Sequence, residues 1–471
     1  MAFRTKIICT MGPASSSYEK ISALVDAGMN VARINFSHGT YDQHAAVIAT
    51  LKRVRSEKGV PLSIMLDTKG PEVRLGEVKD GAIQVSKGDR LRLTSENSAG
   101  GAIQITPIQA YKALEAGCLL LIDDGYISAR VLSKSPEGVE IEIRNPGFIK
   151  SFKSLSLQGV DLLLPAMTEQ DRLDIHFGCE QGVDLIAASF IRSANHVAEI
   201  KGLLLERGSA DIQVMAKIEN PMGVENFNEI VAAADGIMVA RGDLGVELPL
   251  KSVPRLQKMM IRKCCLAAKP VITATQMLES MINNPRPTRA EVSDVANAIY
   301  DSTSSVMLSG ETAVGRYPVE TVEMMGSIIE ESENDFDFEN FFMSHKLLSY
   351  ENISASIAFS AVNTAYTTKA GAIFCFTHSG FTARILSKFR PRMPIIALTR
   401  SEKVYHQLAL NWGVIPLLLP EMDNFQDAFA QAAKFAVARK ILQRGDLVVV
   451  TSGEPFWESG TTNVMLVHSI P

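Results

Sequence analysis

Ala216-Lys217-Ile218-Glu219-Asn220 follows the apolar run Ile212-Gln213-Val214-Met215. Met238-Val239-Ala240-Arg241-Gly242-Asp243-Leu244-Gly245 likewise continues Gly236-Ile237. Both stretches read as strands that end in charge. Lys217 and Glu219, two apart on a strand, point to the same side. Asp243 lies just past the next strand, in a glycine-rich turn. If the two strands are neighbours, one cation and two carboxylates converge at their ends. Two carboxylates suit a hard divalent cation such as Mg²⁺ or Mn²⁺ that keeps waters and substrate oxygens as further ligands. Lys217 beside them would stabilise charge on a transferring phosphoryl group or an enolate. A lone Lys-x-Glu is more often a buried salt bridge, so the rest of the chain decides.

On the N-terminal side, Thr5–Thr10, the start of Met29–Gly39 and Leu62–Leu66 read as strands separated by helices near 17–27 and 41–58. From about Gly70 to Pro165 the period changes to two, as in Ile83-Gln84-Val85 and Leu91-Arg92-Leu93. Turns at Lys87-Gly88-Asp89, Asp123-Asp124-Gly125 and Pro136-Glu137-Gly138 punctuate this stretch, and its one helical candidate is 107–115. This is an inserted β domain. Strand–helix alternation resumes at Thr168. One helix is expected near 226–233, and the helix after Thr288 starts with Thr288 and Glu291 at capping-box spacing. The strands represented by Lys6, Val31, Ser63, Leu185, Val214, Ile237, Val271 and Val306 number eight. Eight βα units in about 240 residues predict a (β/α)₈ barrel, with a doubly wound open sheet as the competing architecture. The expected domains are 1–69 with 166–336 for the barrel, 70–165 for the β lid and 337–471 for a C-terminal α/β domain. The acidic run Glu330–Asp335 reads as a solvated boundary.

With 471 residues, about two to four domains are expected. A net charge of -5 argues against a general nucleic-acid binder. No apolar run is long enough for a bilayer span, and no signal-peptide core opens the chain. The six cysteines lack C-x-x-C spacing, as expected of free thiols in a reducing, cytoplasmic setting.

Asn35, Asp67, Ser189, Lys217, Asp243, Thr275 and Ser309 fall just past the strands, on the rim where such barrels keep their sites. Asn35, Ser37, Asp67 and the Thr68 carbonyl offer oxygens for a monovalent cation or a hydrogen-bond network. Arg33, Arg74 and Arg241 bring charge that matches phosphate. The turn Arg241-Gly242-Asp243 opens a short helix whose amides would hold a carboxylate. Together these describe a site for an anionic, phosphorylated small molecule with a divalent metal. No Walker motif or kinase glycine-rich loop is present. In the last domain, Thr377-His378-Ser379-Gly380-Phe381-Thr382 lies between strand and helix, as either a phosphate-sized anion site or a polar cap.

Asn30–Gly39, Leu66–Arg74, Lys217–Asn220, Met238–Glu247 and Ile272–Arg289 together resemble the pyruvate kinase family, in the family's order. The resemblance implies phosphoryl transfer from phosphoenolpyruvate to ADP, giving ATP and pyruvate, the last step of glycolysis. It implies that Lys217 stabilises the transferring group and the enolate, that Arg33 holds the phosphate, and that Gly242, Asp243 and Thr275 contact the substrate. Glu219 and Asp243 match the Mg²⁺ ligands, and Asn35, Ser37, Asp67 and Thr68 the K⁺ site, with Glu72 as its correlate. Asn35, His38, Arg74 and Lys153 match the nucleotide side. Thr377, Ser379, Gly380 and Thr382 resemble a loop for a phosphorylated effector, and Trp457–Asn463 its partner loop. A homotetramer is implied as well. The lid's exit departs from the family's usual Lys-Gly-Val-Asn-Leu-Pro-Gly, reading Lys153-Ser154-Leu155-Ser156-Leu157-Gln158-Gly159. Phe381 stands where relatives sometimes carry a basic residue. Two other readings are an Mg²⁺-dependent pyruvate or phosphoenolpyruvate aldolase or lyase, and a non-catalytic metabolite sensor. A lyase has no use for the lid, Arg74 or the K⁺ ligands, and a degraded sensor would be expected to lose Lys217 or a metal carboxylate.

Overall fold

A computed structural model describes residues 3–96, 102–160, 162, 164–345, 352–421, 424–454 and 462–471. Eight parallel strands close into a barrel. They are β1 (Lys6–Thr10), β2 (Met29–Asn35), β3 (Ser63–Asp67), β4 (Leu185–Ala188), β5 (Gln213–Ile218), β6 (Gly236–Ala240), β7 (Val271–Ala274) and β8 (Ser305–Leu308). Each pairs with its sequence neighbours and β8 returns to β1, which removes the open-sheet alternative. All eight are almost wholly buried, as expected of strands covered inside and out. Inward-facing Ile8, Val31, Met65, Leu185, Met215, Met238, Ile272 and Met307 fill the interior.

The insertion after β3 is a seven-stranded sheet plus a two-stranded ribbon over its own apolar core. Among the described residues it contains one short α-helix, Ile108–Ala113. Beyond the barrel, four parallel strands, Ala372–Phe376, Ile395–Thr399, Val414–Leu418 and Leu447–Ser452, alternate with helices. A fifth strand, Val464–Ser469, pairs antiparallel to Leu447–Ser452 and was not anticipated from the sequence. This sheet domain seals the barrel's N-terminal end. Leu410 joins the barrel's inner cluster with no exposed surface. Around it, Lys6 Nζ donates to the Val414 carbonyl at 2.8 Å, Arg390 Nη2 to the Ser302 carbonyl at 2.8 Å, and Gln407 Nε2 to the Asp211 carbonyl at 2.6 Å.

Two expectations are refined. In the acidic stretch before the last domain Glu330, Glu331, Asn334 and Asp335 are exposed, but Ser332 and Glu333 are buried. Helix Pro318–Asn334 runs through it, and buried Glu333 accepts the backbone N–H groups of Arg4 (3.1 Å) and Thr5 (2.7 Å) at the start of β1. The segment after Asn220 forms two helices, Pro221–Glu225 and Phe227–Ala233, because Asn220 caps a turn opened by Pro221. The capping box at Thr288 and Glu291 is present, and Glu291 also anchors Ser280. All six cysteines are free, and among the described residues no helix is long and apolar enough to cross a membrane.

Candidate functional site

The rim is organised by one buried carboxylate. Asp67 ends β3 beside Asn35 of β2. Its Oδ2 accepts from Arg33 Nε at 2.5 Å and its Oδ1 from Lys217 Nζ at 3.0 Å. Burial works against its charge, but Arg33 and Lys217 outweigh that and hold the carboxyl below its ordinary range. Lys217, on β5, donates to Asp67 and to Ser189 Oγ at 2.7 Å, and pairs with Glu219 Oε1 at 3.0 Å. Burial opposes this ammonium too, yet Asp67 and Glu219 keep it charged, above the ordinary lysine range. Arg33 Nη1 donates to Thr10 Oγ1 at 3.0 Å, so β1, β2, β3 and β5 are tied at one level.

Glu219 Oε2 accepts the Phe190 backbone N–H at 2.5 Å. On the next strand, Ala240 leads into the short helix Arg241–Glu247, which has no side-chain cap, and Asp243 lies in its first turn. Burial, and then the charge of Glu219, push the Asp243 carboxyl up to about 7. Two acidic groups that face each other in a buried place, with their one ammonium shared with Asp67, form a pocket of negative potential. A hard divalent cation fits that donor chemistry. No group of three or more His, Cys, Asp or Glu side chains gathers as a metal cluster among the described residues. The remaining ligands would be waters and substrate oxygens, as Mg²⁺ prefers.

Thr275 follows β7 with φ 72°, and Gln276 with φ 54°. A β-branched residue in the left-handed region is a strained outlier of the kind that clusters at functional sites. The conformation turns Thr275 Oγ1 toward the helix start, where it accepts the Gly242 N–H at 2.8 Å.

The structure thus brings Arg33, Asn35, Asp67, Thr68, Lys217, Glu219, Gly242, Asp243 and Thr275 to one rim. Asn35 Oδ1 accepts the Ser37 N–H at 3.1 Å, while the Thr68 carbonyl is taken by Ser189 Oγ at 2.5 Å. His38 is exposed on the same loop. Arg74 pairs with Glu72 at 2.6 Å and donates to the Phe152 carbonyl, and Lys153 pairs with Asp123 at 2.9 Å; all of these belong to the insertion or its stem. Arg241, expected to bring charge that matches phosphate, is held by protein groups. It clasps Asp294 at 2.6 Å and donates to the Thr275 carbonyl at 2.6 Å, bracing the strained turn. Sequence reading placed Ser189 on the rim without seeing its bond to Lys217, and gave no role to Glu311. That buried carboxylate accepts the Ser309 and Leu278 N–H groups and shapes the loops after β7 and β8. Far away, Thr377 and Thr382 are buried, Gly380 has φ 78°, and Ser379's carbonyl accepts from Arg384 at 3.1 Å. Thr382 Oγ1 meets Thr462 Oγ1 at 2.8 Å; residues 457–461 of the expected partner loop lie outside the described residues.

The family profile "Pyruvate kinase, barrel domain" matches residues 2–322, and "Pyruvate kinase, alpha/beta domain" matches 355–468. The chain belongs to the pyruvate kinase family. It is 48% identical over 477 residues to a pyruvate kinase of Chlamydia trachomatis serovar D, covering 100% of this chain and 98% of that one. It is 45% identical to the pyruvate kinase of Geobacillus stearothermophilus, covering 100% of this chain and 81% of that one. It is 43% identical to the pyruvate kinase of Clostridium acetobutylicum, covering 99% of each chain. This pyruvate kinase family member is therefore a phosphotransferase enzyme, with a barrel and a following α/β domain.

Proposed function

We propose that the chain transfers the phosphoryl group of phosphoenolpyruvate to ADP, giving pyruvate and ATP as the last step of glycolysis in the cytoplasm. The observation that carries this reading is the Lys217 ammonium, held charged between Asp67 and Glu219 with Asp243 opposite. Glu219 and Asp243 would hold Mg²⁺ or Mn²⁺, which when bound supplies charge neutralisation to substrate oxygens. Asn35, Ser37, Asp67 and Thr68 would hold K⁺, with the Ser189 hydroxyl turning off the Thr68 carbonyl.

Arg33 receives the substrate phosphate, and Lys217 turns from Asp67 toward the transferring group and the enolate oxygen as charge develops there. Gly242 and Asp243 orient the substrate carboxylate. The Thr275 hydroxyl, fixed by its strained backbone, sits where the enolate carbon is protonated. Asn35, His38, Arg74 and Lys153 form the nucleotide side. Residues 70–165 act as a lid that excludes water over the barrel of 1–69 and 166–336. Residues 337–471 carry the site for a phosphorylated effector at Thr377, Ser379, Gly380 and Thr382, and the enzyme assembles as a homotetramer.

The test is the initial rate of pyruvate formation from phosphoenolpyruvate and ADP with Mg²⁺, with and without K⁺. Activity that needs K⁺ is expected. Activity indifferent to K⁺ removes the monovalent site, and no activity, with sugar phosphates and AMP supplied as activators, removes the reaction.

A further inference from the structure

Gln158 ends the strand Leu155–Gln158, by which the chain leaves the inserted β domain. Both protons of its side-chain amide are used. Nε2 donates to the Val246 carbonyl at 2.6 Å and to Ser156 Oγ at 3.0 Å. The Ser156 hydroxyl is thereby left to donate its own proton; it lines the same pocket as Glu247 and favours the charged form of that carboxyl. Val246 and Glu247 form the last turn of the helix whose first turn carries Asp243. That helix has seven residues, so its two ends move as one body.

A second arm starts at Glu247. It sits in the field of Arg192, which lies in the loop after β4 and also feels Glu219. Arg192 is 8% exposed, and its Nη1 has no hydrogen-bond partner. Arg192 lines the same pocket as Ser156, Asp243, Val246 and Glu247, and the charges of Glu247 and then Glu219 favour its protonated form against burial. Asp243 is thus connected to the β domain through the helix, while Glu219 and Glu247 both act on the charge of Arg192.

We propose that Gln158 is a positioning residue: through Val246, Ser156 and Glu247 it sets the helix that aims Asp243, coupling lid placement to divalent-cation binding. This rests on the reading of Glu219 and Asp243 as the cation pair. Loss of the Gln158 donors frees the helix end and leaves the Val246 carbonyl without its amide. Loss of the Glu247 charge turns Arg192 toward Glu219, where it competes with the cation.

The experiment is direct Mn²⁺ binding to the full chain without substrates, read by paramagnetic resonance. The variants are Gln158→Met, which keeps the length and removes the donors, Glu247→Gln, and the double. Thermal unfolding confirms that each is folded, and Glu219→Gln serves as the control for the pair itself. Each single change is expected to weaken Mn²⁺ binding about fivefold to tenfold, the size of a modest coupling. The double is expected to weaken it by less than the product of the two, because both interrupt one connected chain. Wild-type affinity in both singles overturns the coupling, and so does a double equal to the product. Mn²⁺ binding that survives Glu219→Gln overturns the cation pair instead, so the two failures are told apart.

Discussion

At the C-terminal end of the barrel, buried Asp67 and Glu219 and half-buried Lys217 and Asp243 are charges that face one another. At the N-terminal end, Leu410 fills the interior, and Lys6, Arg390 and Gln407 of the sealing contact donate to main-chain carbonyls. Both ends bury cations, but to different effect. Below, each of these donors meets a fixed acceptor on a sheet or loop that does not change during a reaction. Above, the partners are themselves ionised groups, and Asp243 is left with a carboxyl pushed up to about 7 by burial and Glu219. An end that satisfies its charges from its own backbone is built for stability. An end that leaves them facing one another keeps free energy in reserve for a ligand.

The sharpest way to break this comparison is Lys217→Met. The kcat for pyruvate formation is expected to fall about 10³-fold with little change in KM, because the lost donor acts mainly as charge develops. A near-normal kcat removes Lys217 from its role. Next in size is Leu410→Ala, which should cost about 2–5 kcal/mol of stability through a cavity at the barrel floor. The measurement is the thermal midpoint, expected to drop by several degrees while the KM for phosphoenolpyruvate holds. An unchanged midpoint would mean that the floor is not a plug. Third, Thr382→Glu places a buried charge where Thr382 meets Thr462, and activation by any sugar phosphate is expected to vanish. Activation that persists in rate assays moves the effector site elsewhere. The smallest effect is expected from Lys153→Met, with a KM for ADP raised a few-fold and that for phosphoenolpyruvate unchanged. A shift in the second constant would place Lys153 on the other substrate.

The barrel was legible in the sequence because parallel strands buried on both faces leave unbroken apolar runs such as Ile186-Ala187-Ala188, each punctuated by a polar residue at the rim. The rim residues were legible for the same reason, as sudden charge after such a run. What was hidden is what depends on partners distant in sequence. Arg241 reads as free positive charge until Asp294, 53 positions away, is seen to hold it. Glu333 reads as solvated in an acidic run until the start of β1, 329 positions earlier, is found donating to it. Ser189 carries no pattern of its own, and its importance appears only when Lys217 is seen beside it. The strand Val464–Ser469 was missed because it runs antiparallel to Leu447–Ser452, in a sheet otherwise built from parallel strand–helix units.

The stopper made by Leu410 also fixes the traffic of the molecule. With the interior packed and closed from below, the rim of the described barrel is open only toward the loops and the inserted β domain. If that domain is the lid proposed above, whatever slows its movement slows arrival and departure together.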